Sequence, residues 1–292
     1  MKYHKSFGER LFDYANVIFM LILVLLTIYP FLHVFFASIS KASLVEQKSF
    51  FFYPEGINFN SYKLVFKNQM ILLGYRNTLI YVTTGTFISI LFTTMGAYAL
   101  SRKKVYFNRH IMMMIIITMY FSGGLVPFYL LVKGLNLINT VFAIILPGAI
   151  STWNLIIMRT SFKSVPDSFE ESAKIDGAND FRILFSVYVP LSMPVIAVMV
   201  MFYAVGQWNS WFGPAIFLEN RSLFPIQLIL REILVLNSTN NLMRDVAGKG
   251  ANDVAANIKY TTIIVTILPI IFCYPFLQKY FIKGVMIGSL KE

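Results

Sequence analysis

Charge is what this chain has least of. Only 13% of its 292 residues are Asp, Glu, Lys or Arg, against 57% hydrophobic. Soluble domains carry about 25% charged and about 45–50% apolar residues, so this chain lacks the polar groups to cover a globular surface. The same shortage, beside 16% aromatics with 28 Phe, excludes a disordered chain. One cysteine, Cys273, excludes an internal disulfide and a Cys-rich metal site. His4, His33 and His110 stand too far apart in sequence to suggest a metal or catalytic cluster. With a mean hydropathy of +0.65, the chain reads as an integral membrane protein.

Crossing roughly 30 Å of hydrocarbon takes about 20 mostly apolar residues. Six stretches qualify: about Ala15 to Ala37, Asn77 to Leu100, Ile111 to Val132, Thr140 to Met158, Leu184 to Trp208, and Tyr260 to Leu277. The basic N-terminal flank resembles a signal peptide, but the first run is too long and lacks a small-residue cleavage site. Lys2, Lys5 and Arg10 at the N-terminus, and Arg102, Lys103, Lys104 and Arg109 between the second and third stretches, place those segments inside. Only Lys133 marks the short loop on the other side. The expectation is six helices, both termini cytoplasmic, a cytoplasmic loop at 159–183 and an extracellular loop at 209–259. The net charge of +11 is then membrane topology and not a nucleic-acid surface.

The six stretches contain no Asp, Glu, Lys or Arg. Ion-coupled carriers use ionisable groups inside the membrane to bind or relay the coupling ion, so a secondary sugar carrier is the weaker reading. A membrane enzyme acting on lipid or glycan needs converging acid–base or metal groups, and the scattered histidines do not supply them. The chain has no GxxxxGK[ST] phosphate loop, so any energy from ATP enters through another protein. Uncharged polar and aromatic groups do occur. Trp153 and Asn154 lie in the fourth stretch, and Gln207, Trp208, Asn209 and Trp211 close the fifth. Flat rings with amide donors and acceptors suit neutral hydroxylated ligands such as sugars; an interfacial aromatic belt is the alternative. Gly123-Gly124, Pro127, Pro147-Gly148, Pro190, Pro194, Pro269 and Pro275 punctuate the stretches, as hinges or as close-packing positions.

The loop after the fourth stretch predicts a helix of about ten residues. Pro166 suits its first position, Asp167, Glu170 and Glu171 its positive N-terminal end, and Gly177 a left-handed stop. Phe169, Ser172, Ala173 and Asp176 share one face by helical spacing. The run Glu171-Ser172-Ala173, Gly177 after three residues, and Val187-Tyr188-Val189-Pro190 after nine more resembles the EAA motif of ABC-importer permeases, E-A-A-x3-G-x9-I-x-L-P. Glu171, Ala173, Gly177 and Pro190 match that pattern identically, while Ser172, Val187 and Val189 are conservative departures. Asp176-Gly177-Ala178 is similar to the maltose-type, carbohydrate-uptake branch. Phe121 to Pro127, Gln207 to Trp211 and Lys279 to Ser289 resemble its multi-sugar and oligosaccharide subgroup.

The resemblance implies an all-α type I ABC importer permease fold. The chain would be one domain over 1–292, with core helices two to six at about 77–283, in a bacterial plasma membrane. It implies ATPase coupling through Glu170, Glu171, Ser172, Ala173, Asp176 and Gly177. A translocation pathway near Trp153, Asn154, Gln207, Trp208, Asn209 and Trp211 is expected beside it. The implied partners are a second homologous permease, a cytoplasmic ATPase dimer and an extracellular sugar-binding protein. No cofactor is expected on this chain, with ATP and Mg at the ATPase. The implied function is uptake of a carbohydrate, an oligosaccharide, by alternating access, with no enzymatic chemistry of its own. The resemblance also suggests that the outer loop, where Pro225 to Leu234 reads as a short apolar helix, meets the binding protein; a helix on the outer leaflet is the alternative. Phe50 to Pro54 is expected to pack back on the helix ends, and the tail from Lys283 to Glu292 to contact the ATPase pair.

Overall fold

The computed structural model describes residues 6–48, 50–103, 105–235 and 252–289, with side chains at 46, 252–256 and 276–289 outside the description. All regular elements among these residues are helical. In chain order they are α1 (Phe7–Ile39), α2 (Ala42–Gln47), α3 (Asn60–Lys67), α4 (Gln69–Ser101), α5 (Asn108–Tyr120), α6 (Leu125–Gly134), α7 (Phe142–Ile145) and α8 (Thr152–Lys163). There follow α9 (Asp167–Ile175), α10 (Asp180–Ile183), a π turn (Leu184–Tyr188), α11 (Val189–Leu191) and α12 (Met193–Trp208). The last are α13 (Phe212–Phe217), α14 (Ile226–Val235) and α15 (Asn252–Ser289).

Three helices are long and apolar enough to cross a membrane: Phe7–Ile39, Gln69–Ser101 and Asn257–Pro275. They contain most or all of the first, second and sixth expected stretches. α1 opens on a capping box, Ser6 Oγ accepting from the Glu9 N–H and Glu9 Oε2 accepting from the Ser6 N–H, which satisfies two backbone donors at the helix start. The other three stretches are not single straight helices. The third breaks between α5 and α6, which meet at 115°. Gly124 there has φ +87, a conformation open to glycine and costly for other residues. The fifth bends by 89° between Asp180–Leu191 and Met193–Trp208. Pro194 in the first turn of α12 lacks an N–H to continue the preceding ladder. The fourth splits at Pro147-Gly148 into α7 and α8, and Ser151 caps α8 by accepting from the Asn154 N–H. Counting each bent pair as one span gives up to five. Hydropathy sums side chains, so it counts apolar length without registering these backbone breaks.

The chain divides into two compact units. One comprises Met1–Asn68 and Glu232–Leu268. In it Ala37, Val45 and Phe51 are buried together, with Phe36 and Tyr260 against them. The Phe51 N–H donates to His33 Nδ1 at 3.2 Å, Ser38 Oγ meets the Tyr62 hydroxyl at 2.8 Å, and Asn257 Nδ2 donates to the Ser40 carbonyl. Of the aromatic run expected to pack back, Phe51 does so, whereas Phe50, Phe52 and Tyr53 stay exposed.

The other unit comprises Gln69–Arg231 and Pro269–Glu292. Its centre is α4, against which α8 and α12 lie. Gly85, Ser89, Thr93 and Ala97 recur every fourth residue and form one face; small side chains let membrane helices approach closely where water expulsion supplies no drive. Thr93 Oγ1 meets the Tyr203 hydroxyl of α12 at 2.7 Å, and Thr94 Oγ1 donates to Met158 Sδ of α8 at 3.4 Å. Toward the Ser101 end of α4 a dense cluster of Tyr98, Phe162, Ile183, Leu184 and Tyr188 closes the core.

Candidate functional site

The helix expected in the 159–183 loop forms as α9. Pro166 takes the N-cap, one place before the position expected for it. Gly177 has φ +74. Its N–H donates to the Lys174 carbonyl at 3.0 Å and the Ala178 N–H to the Ala173 carbonyl at 2.9 Å, the Schellman pattern that a left-handed residue permits.

Of the four residues that share a face by spacing, only Ala173 packs against this protein. Glu170, Ala173 and, beyond the helix, Ala178 are partly buried, with Ala173, Ala178 and Val165 against the core cluster. Phe169, Ser172 and Asp176 are exposed. At 100° per residue, the side opposite Glu170 and Ala173 carries Ser168, Glu171, Ser172 and Ile175. Ile175 is 87% exposed, a large apolar group at the centre of a polar surface. The six coupling residues expected from sequence therefore divide. Glu171, Ser172, Asp176 and Gly177 are exposed, while Glu170 and Ala173 face the protein.

Glu170 is paired inward. Its carboxylate forms a salt bridge with Arg102 and accepts from Lys174 Nζ at 2.5 Å. The Arg102 guanidinium lies 4.8 Å from the Tyr98 ring centroid and 4.3 Å from that of Tyr188, within range for cation–π attraction. The two rings meet edge to face at 5.2 Å. Beside them Arg159 Nε donates to the Leu100 carbonyl at 2.7 Å and its Nη2 to Asn108 Oδ1 at 3.1 Å. The end of α4, the start of α5, α8 and α9 are thus tied at one place. At the rim Lys103 Nζ and Asp167 Oδ2 are 2.7 Å apart; this bond holds the Asp167 carboxyl below its ordinary range and raises Lys103. Sequence reasoning missed Arg102, Tyr98 and Tyr188. Arg102 read as one of four loop cations that set topology, and nothing local marks which of them folds back.

A second feature of this unit is a cavity of about 750 Å³. Trp153, Asn154 and Gln207 line it, together with Ser151, Tyr203 and Ser210 among its polar walls. Three other expected pathway residues lie outside that lining. Trp208 is buried beside Tyr75, Asn209 Oδ1 accepts from Gln227 Nε2 at 3.4 Å, and Trp211 is covered by the Arg231 guanidinium 3.4 Å from its ring centroid. Residue type grouped these six; Trp208 follows Gln207 within α12 and so points about 100° away from it, and Asn209 and Trp211 lie beyond the end of that helix.

The segment after α12 folds onto α4. Asn77 Nδ2 donates to the carbonyls of Ser222 (2.7 Å) and Phe224 (3.1 Å). The Tyr81 hydroxyl donates to Leu223 and the Ile226 N–H to Thr78 Oγ1. A Cβ at Gly74 would lie 3.3 Å from Ile226 Cα, so glycine permits the approach. α14 is the short helix expected at Pro225 to Leu234, and Ile226, Leu228 and Ile229 are buried in protein, unlike the apolar face of a helix lying on a leaflet. Residues 236–251 of the expected extracellular loop, and the tail beyond 289, lie outside the described residues.

Long apolar helices, broken helices around a largely apolar cavity that carries a few uncharged polar groups, and a short polar helix docked on helix ends are the features of a membrane permease. The chain belongs to the family described as binding-protein-dependent transport system inner membrane component, which it matches over residues 7–287. It is a transport subunit of the ABC permease class, not an enzyme. It is 37% identical over 283 residues to the polygalacturonan/rhamnogalacturonan transport system permease protein YtcP of Bacillus subtilis (strain 168), covering 97% of this chain and 99% of that protein. Among solved structures it resembles a chain of a bacterial ABC transporter that imports the acidic polysaccharide alginate. The TM-score is 0.87 at 32% identity, over 96% of this chain and 100% of that one. A chain from the alginate transporter complexed with an alginate pentasaccharide-bound periplasmic protein shares the fold, with a TM-score of 0.52 at 14% identity over 91% and 93% of the two chains.

Proposed function

We propose that this chain is the permease subunit of an ATP-driven importer that takes up a polysaccharide-derived oligosaccharide by alternating access. It crosses a bacterial plasma membrane six times with both termini inside, broken helices included. A second homologous permease completes the pathway, and an extracellular sugar-binding protein supplies it. ATP and Mg are held by a separate ATPase pair, and this chain holds no cofactor. The relatives' substrates, polygalacturonan, rhamnogalacturonan and alginate, support a carbohydrate cargo. The periplasmic protein in the alginate complex supports delivery from outside.

The observation that carries the coupling role is α9 itself. One side is fixed to the helix ends through Glu170 and Ala173, and the other presents Glu171, Ser172 and the bare Ile175. A helix so held passes a push on its outer face to α4, α5 and α8, and so biases two packings of the spans. Replacing Ile175 by Asp, or Glu171 by Lys, should abolish co-purification with the ATPase while the permease still inserts. ATPase retention and sugar-stimulated hydrolysis equal to wild type in both variants would refute this role.

A further inference from the structure

The cavity in the second unit contains an arrangement that the coupling role leaves unused. Asn154 is 6% exposed and lines the cavity from the first turn of α8. Its backbone is held by the Ser151 hydroxyl, and the Ser151 N–H donates to the Tyr203 hydroxyl at 3.0 Å. The Asn154 carboxamide makes no hydrogen bond among the described residues, and neither does that of Gln207. Gln207 lies over Gly85, where a Cβ would stand 3.0 Å from its Nε2. Two carboxamides are therefore positioned by their surroundings and left with open donors and acceptors. Asn154 is a buried residue and Gln207 a partly buried one, both reach the cavity, and an occupant that itself donates and accepts would satisfy both amides. Trp153, 61% exposed, lines the same cavity and offers an indole face. None of the lining residues is Asp, Glu, Lys, Arg or His.

We propose that this cavity is a saccharide subsite belonging to this chain. Asn154 and Gln207 grip ring hydroxyls, Trp153 takes the apolar face of a sugar ring, and the subsite does not distinguish a uronate from the neutral hexose. This rests on the carbohydrate reading above and sharpens it. The volume of about 750 Å³ lies within the roughly 300–1,000 Å³ of small-molecule sites. Carboxamides both donate and accept, as hydroxyls do, so each can satisfy a sugar hydroxyl in either sense. A carboxylate brought to the same place finds no cation among the described lining residues. Discrimination by charge, where the importer has it, falls to its other components.

The test is saturation-transfer NMR on the purified membrane complex containing this chain, without the binding protein. The probes are oligogalacturonates of two to six units and the same mixture after carboxyl reduction. Both probes should receive saturation at ring C–H protons, with affinities within about three-fold. Asn154→Leu and Gln207→Leu should each weaken both by about five- to ten-fold, as loss of a neutral hydrogen bond does. Gln207→Glu keeps the shape and adds the charge the lining lacks; it should weaken the acidic probe about ten-fold and leave the neutral one near wild type. That split would not arise from a merely structural role. No transfer to either probe, preference of the unsubstituted complex for the acidic probe, or equal losses for both probes in Gln207→Glu would each overturn the proposal. Binding is read without ATP, so failure here leaves the ATPase-retention test of α9 standing, and failure there leaves this one.

Discussion

Replacing Glu170 by Gln preserves the shape of the side chain and removes the charge that faces Arg102. The two side chains are 15% and 16% exposed, so water screens this pair far less than a surface pair. Breaking a fully buried pair costs about 3–5 kcal/mol, because one charge is left without its partner. A hydrogen bond to a charged group contributes about 1.5–3 kcal/mol. Arg102 retains the Tyr98 and Tyr188 rings, which offset part of the loss, so about 2 kcal/mol is expected. The contact with Lys174 adds only about 0.3–0.5 kcal/mol, as an exposed i,i+4 pair. This loss should appear as easier local opening of α9, read by hydrogen exchange in nanodiscs. At about 1.4 kcal/mol per factor of ten, amide protection from 171 to 178 should fall about thirty-fold, with that of α4 near unchanged. Arg102→Lys should give a smaller loss, because an ammonium keeps the charge but not the planar stacking on the rings. Exchange unchanged within two-fold in Glu170→Gln would refute the reasoning. It would mean that Val165, Ala173 and Ala178 hold the helix by apolar packing alone.

Other expectations follow from single contacts. Gly177→Ala meets no steric neighbour but places a side chain at φ +74; the left-handed conformation costs about 1–2 kcal/mol, so α9 protection should fall about ten-fold, whereas Gly134→Ala, a helical site with open space around it, should be neutral. Asn77→Ala strands the Ser222 and Phe224 carbonyls at about 1–3 kcal/mol, seen as faster proteolysis of the segment after α12; unchanged digestion would refute the anchoring role. Asp167 has a lowered pKa because Lys103 bonds its charged form. Its contribution is therefore present above the ordinary carboxylate range and lost as pH falls through the lowered folded value. Lys103→Met should erase that acid-side dependence in a pH series of α9 exchange, while leaving the helix formed at neutral pH.

Local chemistry made much of α9 legible. Pro166, the acidic first turn and Gly177 mark both ends of a helix whatever surrounds it, since caps and left-handed stops act within a few residues. Periodicity told which residues share a face, but not that Glu170 and Ala173 turn inward, because that depends on where Arg102, Tyr98 and Tyr188 stand. The apolar stretches were visible as composition. Their breaks at Gly124, Pro147-Gly148 and Pro194 were visible only as candidate hinges, since the same residues also serve close packing.

The sequence by itself determined the medium and the class of work. Too little charge for water, and none inside six apolar stretches, mean a bilayer protein without the intramembrane ionisable groups that ion-coupled carriers use. The motif from Glu171 to Pro190 named the family. Only the tertiary structure decided which side of α9 is free. It also brought Asn154 and Gln207 to one cavity while sending Trp208, Asn209 and Trp211 elsewhere. These outcomes depend on contacts between residues far apart in the chain, which no local pattern of side chains encodes.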